Sequence, residues 1–318
     1  MKCTICGNVS NNALFEAQEM MYGKHEKFTY ILCAECGCLQ ISDIPDNIHE
    51  YYAGQYYSYQ QKEVTRHPIR QRMMKIRNRH AISGQGKIGG WLLRAFPTDA
   101  FQFLRPLKLK SDSSVIDVGC GAGTLLKLLA SSGMTHLLGA DPFIAQELSY
   151  DDGVKVLKKP ITGVSGAHDL IMFNHSFEHI PNQLETLQHV AGILKPSGHC
   201  IVRIPTVSSY AWKHYGVNWV QLDAPRHFFL HSVDSLNRLA RDAGMVVDQV
   251  VYDSTDFQFW GSEQYLKGIP LRGKNSYAVD PAASPFSEDD IAEFKRRARE
   301  LNHDHQGDQA IFYLRPAP

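Results

Sequence analysis

Three kinds of string in this 318-residue chain carry side chains whose types and spacing can do chemistry. Cys3-x-x-Cys6 and Cys33-x-x-Cys36 are two knuckles that together offer four thiolates to one tetrahedral ion. Gly7 and Gly37, directly after the pairs, permit the tight turns that aim backbone amides at the sulfurs. Asp117-Val118-Gly119-Cys120-Gly121-Ala122-Gly123 sets an acid beside three glycines, where bare backbone lets a ligand reach a helix N-terminus. Asp141, ahead of Pro142 and Phe143, is spaced to accept the hydroxyl hydrogens of a ribose; its other reading is a turn or helix cap. Asn174-His175-Ser176-Phe177-Glu178-His179 holds two imidazoles and a carboxylate suited to moving a proton near neutral pH.

The elements that must position these groups are legible from periodicity. Ser114–Val118 reads as a strand that runs through the glycine turn into a helix from Thr124. His136–Ala140 is the next strand, and it delivers Asp141. Asp169–Asn174 and the run from Leu194 to Val202 are two more strands, so the Asn174–His179 string is a strand-to-helix loop with Pro181 near the helix start. That context argues against the zinc-peptidase pattern H-x-x-E-H, which needs both histidines on one helix face. Ser232 caps a helix ending at Gly244, Met245–Tyr252 is a strand, and Ala310–Leu314 is the last one. The intervening residues 254–307 form an insertion with a charged helix from Glu288. Lys27–Leu32 closes a hairpin between the knuckles. Arg66–Ser83 reads as a linker helix with Ile69, Met73 and Ile76 at helical spacing and basic residues on its other faces.

V-I-D-V-G-C-G-A-G-T followed by G-A-D-P, then the strands at 169–174 and 194–202 with L-K-P-S-G between helix and strand, resembles the class I S-adenosylmethionine-dependent methyltransferases. The third glycine comes one residue earlier than in dinucleotide sites, which sets this turn apart from them. The resemblance implies an α/β fold, a Rossmann-like seven-stranded sheet, preceded here by a small zinc-ribbon-like domain. It divides the chain into a zinc-binding module at 1–48, a tyrosine-rich joint with linker helices at 49–105, and a methyltransferase domain at 106–318. It also implies S-adenosylmethionine as cofactor, held by Asp117, Gly119, Cys120, Gly121 and Gly123, with the ribose on Asp141, Pro142 or Phe143 beside the adenine, and Asn174 and His175 at the pocket edge.

His179 is the candidate general base, with Glu178 to orient it or stabilise its charge; the alternative is that His175 and His179 cap the next helix or line the cofactor pocket. Arg226 and His227 can meet an anionic or polyhydroxylated acceptor, His227 being a rival base, although Asp223 with Arg226 also reads as a local ion pair. Five tyrosines in Tyr51–Tyr59 suit interdomain packing or a sugar ring. Knuckles, tyrosines, methyltransferase core and Glu178-His179 together resemble the sugar C- and O-methyltransferases of polysaccharide and deoxysugar pathways. That resemblance implies a nucleotide-sugar or glycan acceptor near Tyr56, Tyr57 or Tyr59, with carbon and oxygen acceptors equally open.

Two spare readings of the cysteines, disulfides and a redox pair, run against a reducing cytoplasm and the duplicated knuckle, so structural zinc is expected, with Cys38 left over. Thirty-three Lys plus Arg balance 33 Asp plus Glu, so no global field draws the chain to a polyanion. This disfavours the alternative of an rRNA base methyltransferase, while the intact glycine turn and both acids count against a non-catalytic cofactor-binding protein. No apolar run reaches the length of a membrane span, and the expectation is a soluble cytoplasmic protein.

Overall fold

The computed structural model describes residues 1–52 and 68–318. In chain order the strands are β1 (Ala13–Gln18), β2 (Lys27–Leu32), β3 (Leu39–Ile41), β4 (Ser114–Val118), β5 (His136–Ala140), β6 (Leu148–Ser149), β7 (Lys155–Leu157), β8 (His168–Asn174), β9 (Leu194–Pro205), β10 (Phe229–Leu230), β11 (Met245–Tyr252) and β12 (Gln309–Pro316). The helices are α1 (Pro68–Ser83), α2 (Lys87–Ala95), α3 (Thr124–Ser131), α4 (Gln183–Ile193), α5 (Tyr210–Tyr215), α6 (Val233–Asp242), α7 (Phe257–Leu266) and α8 (Glu288–His303). Among the described residues, no helix is long and apolar enough to cross a membrane. The chain divides into two units: a central one of residues 68–174 and 186–201, and a terminal one of residues 1–52, 175–185 and 202–317.

In the central unit the strand order is β9-β8-β4-β5-β7-β6. β4 pairs in parallel with β5 and β8, and β5 with β7. Parallel strands covered on both faces need continuous apolar runs, and Val115 to Val118 are accordingly buried at every position. Where seven strands are expected for the whole sheet, β6 is an eighth, antiparallel to β7. Two residues are too few to leave a periodic signal.

In the terminal unit β11 and β12 pair antiparallel, in the order β11-β12-β9, with β9 belonging to both units by chain continuity. A second sheet runs β1-β2-β3-β10. Residues 1–48 therefore do not stand as the separate module expected from sequence. Leu39 and Gln40 pair with Leu230 and Phe229, and the Tyr30 hydroxyl donates to the His227 carbonyl, 197 residues away, at 2.9 Å. Pairing across such a separation leaves no local trace in the sequence. One core joins Cys3, Tyr30, Trp212, Trp219, Phe229 and Phe259.

The 254–307 segment folds as α7 and α8. Ser287 and Asp290 form a capping box that starts α8, which is the charged helix read from Glu288. Leu271 and Arg272 donate backbone N–H groups to the Met20 and Met21 carbonyls, which ties the segment to the loop after β1.

Candidate functional site

The cofactor cradle lies in the central unit, where β4 ends. Gly119, Gly121 and Gly123 have φ of 71°, 54° and 72°, a left-handed path that favours glycine. Asp141, at the end of β5, accepts from the Gly121 N–H at 2.8 Å through one carboxylate oxygen and from the Phe143 N–H at 2.9 Å through the other. The acid thus holds the turn open and keeps lone pairs for a ligand's hydroxyls. Gly139 was missed in the sequence and matters as much. A Cβ there would lie 2.4 Å from the Cys120 sulfur, so the turn can nestle on β5 only because residue 139 has no side chain. Tyr150 donates to the Ala122 carbonyl at 2.7 Å and pins the turn's far side.

Asp117 is buried, and burial pushes its carboxyl up to about 7; Asp141 adds to this, and the Asn174 amide, donating at 3.4 Å, opposes it. The Asn174 side-chain amide oxygen is buried and, among the described residues, has no hydrogen-bond partner. A buried acid this easily protonated, beside an unsatisfied amide oxygen and a bare-backbone turn, fits a ligand that carries positive charge and hydrogen-bond donors. These features suit S-adenosylmethionine. Phe143, whose N–H donates to Asp141, is 76% exposed.

The acid–base cluster lies in the terminal unit and starts at His175, the residue after Asn174. His175 has φ of 51°, and Phe177–His179 form one 3-10 turn ahead of α4, so the string is the strand-to-helix loop read from sequence. His179 Nδ1–H donates to the Arg226 carbonyl at 2.7 Å. A carbonyl only accepts, so the proton resides on Nδ1 and the lone pair on Nε2. The Tyr52 hydroxyl lies 3.0 Å from the same Nδ1. Burial and the neighbouring His227 lower His179 to about 4, against the raising influence of Glu178, so the ring is neutral at pH 7. His227 Nδ1–H donates to the Gln221 carbonyl at 2.8 Å, which leaves its Nε2 3.9 Å from Glu178.

Glu178 is fully buried, and among the described residues neither carboxylate oxygen has a hydrogen-bond partner. Burial alone would raise it, but His175, His179 and His227 outweigh burial and hold it at about 2. It is therefore ionised. Of the two roles expected for Glu178, orienting the ring or stabilising its charge, the first has no hydrogen bond behind it among the described residues: the His179 ring is held by the Arg226 carbonyl beside the Tyr52 hydroxyl.

Of the two readings of Arg226, an acceptor contact or a local ion pair with Asp223, the structure shows the ion pair. Arg226 is fully buried, and its guanidinium donates to Asp223, to Glu19 at 3.0 Å and to the Tyr51 carbonyl at 3.3 Å. Asp223 and Glu19 raise it beyond its ordinary value despite burial, which alone would lower it. With its donors committed, the side chain braces the loop that supplies the carbonyl to His179 instead of meeting an acceptor. Behind that loop, Asp308 accepts from Trp219 Nε1 at 2.9 Å and from the Gln221 side chain at 2.6 Å, and so fixes the residue whose carbonyl holds His227. Neither Glu19 nor Asp308 carried a local signal. Tyr52 belonged to the tyrosine run; Tyr56, Tyr57 and Tyr59 lie outside the described residues.

Also in the terminal unit, the sulfurs of Cys3, Cys6, Cys33 and Cys36 lie within 4.8 Å of one another, with Cys3–Cys36 at 3.6 Å and Cys6–Cys33 at 3.5 Å. These separations are far beyond an S–S bond and close to the edge of a tetrahedron with Zn–S bonds of about 2.3 Å. Cys38 is buried, and burial pushes its thiol up.

The methyltransferase-domain family matches residues 91–250, half of the chain. The ubiquinone biosynthesis O-methyltransferase of Pectobacterium atrosepticum is 31% identical over 108 residues, 31% of this chain and 45% of its own length. That of Serratia proteamaculans is 31% identical over 111 residues, 32% and 46% respectively. The chain thus spans less than half the length of these curated relatives. An S-adenosylmethionine-dependent methyltransferase from Mesorhizobium loti is similar in structure, with a TM-score of 0.41 at 15% identity, covering 69% of this chain and 98% of that one.

Proposed function

Because this chain belongs to the methyltransferase-domain family, we propose that it transfers a methyl group from S-adenosylmethionine to a small polar acceptor, with His179 as general base. The carrying observation is the left-handed three-glycine turn held open by Asp141 beside the buried Asp117. Bound there, the cofactor supplies an electrophilic methyl group on a sulfonium sulfur. The chain's own residues do the rest. Asp141 offers its remaining lone pairs to the ribose, and Asp117 faces the positively charged end of the ligand. His179 Nε2 takes the proton of the acceptor hydroxyl as the oxygen gains the methyl, and the ionised Glu178 stabilises the imidazolium that results.

The acceptor we favour is a hydroxyl on a sugar ring, in a nucleotide-sugar or glycan, with His227 and Tyr56, Tyr57 or Tyr59 as its contacts. The support is the likeness of the whole arrangement to sugar methyltransferases. The name of the curated relatives refers to O-methylation in ubiquinone biosynthesis, which favours oxygen over carbon and makes a phenol the second acceptor to try. We also propose that Cys3, Cys6, Cys33 and Cys36 hold one structural zinc, since a site closed by four thiolates has no open position for water.

The test incubates the protein with S-adenosylmethionine and, separately, nucleotide-sugars and catechol-type phenols. A gain of one methyl mass in a sugar confirms the reading, and a gain only in the phenol reassigns the acceptor. Tight cofactor binding with no transfer to either would support a non-catalytic binding protein.

A further inference from the structure

Residues 68–96 contain seven Lys and Arg and no Asp or Glu, in a chain that is neutral overall. In α1 the inward face is Asn78, Ala81 and Ile82, all buried. The stripe of Ile69, Met73 and Ile76 is on the opposite side and exposed at 67%, 39% and 38%. At 3.6 residues per turn, Arg70 and Arg77 run along one edge of that stripe, and Arg72 and Arg79 along the other. α2 also exposes apolar side chains next to cations. Gly89 and Leu92 are buried, while Ile88 and Trp91 are 68% and 63% exposed, with Lys87 and Arg94 together along one edge beside Trp91. The two helices are locked together at Gly89, where a Cβ would lie 2.5 Å from the His80 Cβ and 2.8 Å from the Ile76 carbonyl.

A solvated basic face has no use for exposed isoleucine and tryptophan, and a nucleic acid would neutralise the cations while leaving the apolar stripe in water. A bilayer surface with anionic headgroups satisfies both. Its phosphates meet the flanking arginines, its acyl boundary takes the aliphatic stripe, and a tryptophan prefers that interface. We propose that α1 and α2 form a docking face for an anionic lipid membrane, peripheral and reversible, independent of which acceptor the protein methylates.

The test is flotation of the full-length protein with vesicles of phosphatidylcholine alone and vesicles that also carry phosphatidylglycerol. Binding should require phosphatidylglycerol, weaken as salt is raised, and fall about tenfold in Trp91→Ser and in Arg72→Glu/Arg79→Glu. Both variants should keep the wild-type melting temperature and affinity for S-adenosylmethionine, which separates a lost surface from a lost fold. Equal binding to both vesicle types, or none, overturns the proposal. So does Trp91-dependent dimerisation in light scattering without vesicle binding, or a preference for single-stranded RNA over anionic vesicles.

Discussion

The rings of His179 and His227 meet edge to face, 4.8 Å between centroids, and each spends its Nδ1 proton on a backbone carbonyl. The His227 Nε2 then lies between two carboxylates, Glu178 at 3.9 Å and Asp223 at 3.8 Å, and both acids also raise His179 against its burial. His227 is one of the neighbours that lower His179, so proton uptake at His179 is held down by the ring beside it.

If His179 is the base, His179→Ala should lower kcat by roughly 10²- to 10⁴-fold with cofactor affinity unchanged. The sequence suggests a limb near neutrality; the structure moves it. With His179 at about 4 in the free protein, kcat/KM should hold down to about pH 5 and fall below that. His227→Ala removes a neighbouring charge that lowers His179, so its acidic limb should shift upward. A nearly fully active His179→Ala protein would exclude the role.

Stability should fall with pH for the same reason. His179 at about 4 and the buried His231 at about 3 both lie below the unfolded value near 6.5, so the unfolded chain binds more protons. Their contribution is complete above about pH 6.5 and declines as the pH drops through 4. Glu178, at about 2, adds a further loss only below about 4.5. Thermal unfolding from pH 8 to 4 reads this directly, and a constant Tm between pH 7 and 4.5 would contradict it.

In the cradle, Asp141→Ala should weaken S-adenosylmethionine binding by about 1.5 to 3 kcal/mol in calorimetry, because a charged acceptor is lost. Gly139→Ala should weaken it as well, by pushing Cys120 off β5, and Cys120→Ala should restore part of the loss by removing the sulfur that lies 2.4 Å from the new Cβ. Additive losses in the double variant would show that the two positions do not communicate.

Elemental analysis should find about one zinc per chain, and Cys6→Ser should abolish it. Because the Ser232 hydroxyl donates to the Cys36 carbonyl and β3 pairs with β10, chelation should also disturb the segment that carries His227 and lower turnover. Metal-free protein with an unchanged fold and rate would refute the zinc assignment.

Arg226→Leu leaves Asp223 and Glu19 buried without their cation, and should cost about 3 to 5 kcal/mol of stability in denaturant unfolding. An acceptor contact would behave otherwise, raising KM in a protein of normal stability.

The sequence by itself determined the cofactor cradle. Strand, glycine turn, helix and the following acid are local features, and short-range sterics at Gly119, Gly121 and Gly123 leave little freedom in how they fold. The two cysteine knuckles were equally legible, because each places a pair of thiols within one turn of chain. Tertiary structure alone decided the state of the acid–base cluster. Glu178 is ionised, His179 neutral and Arg226 a brace because residues as distant as Glu19, Tyr52 and Gln221 converge there, and charge state in a buried site depends on everything around it. It also decided which face of α1 meets water. Periodicity shows that a helix has a stripe, but only packing against the rest of the unit selects the side that is covered.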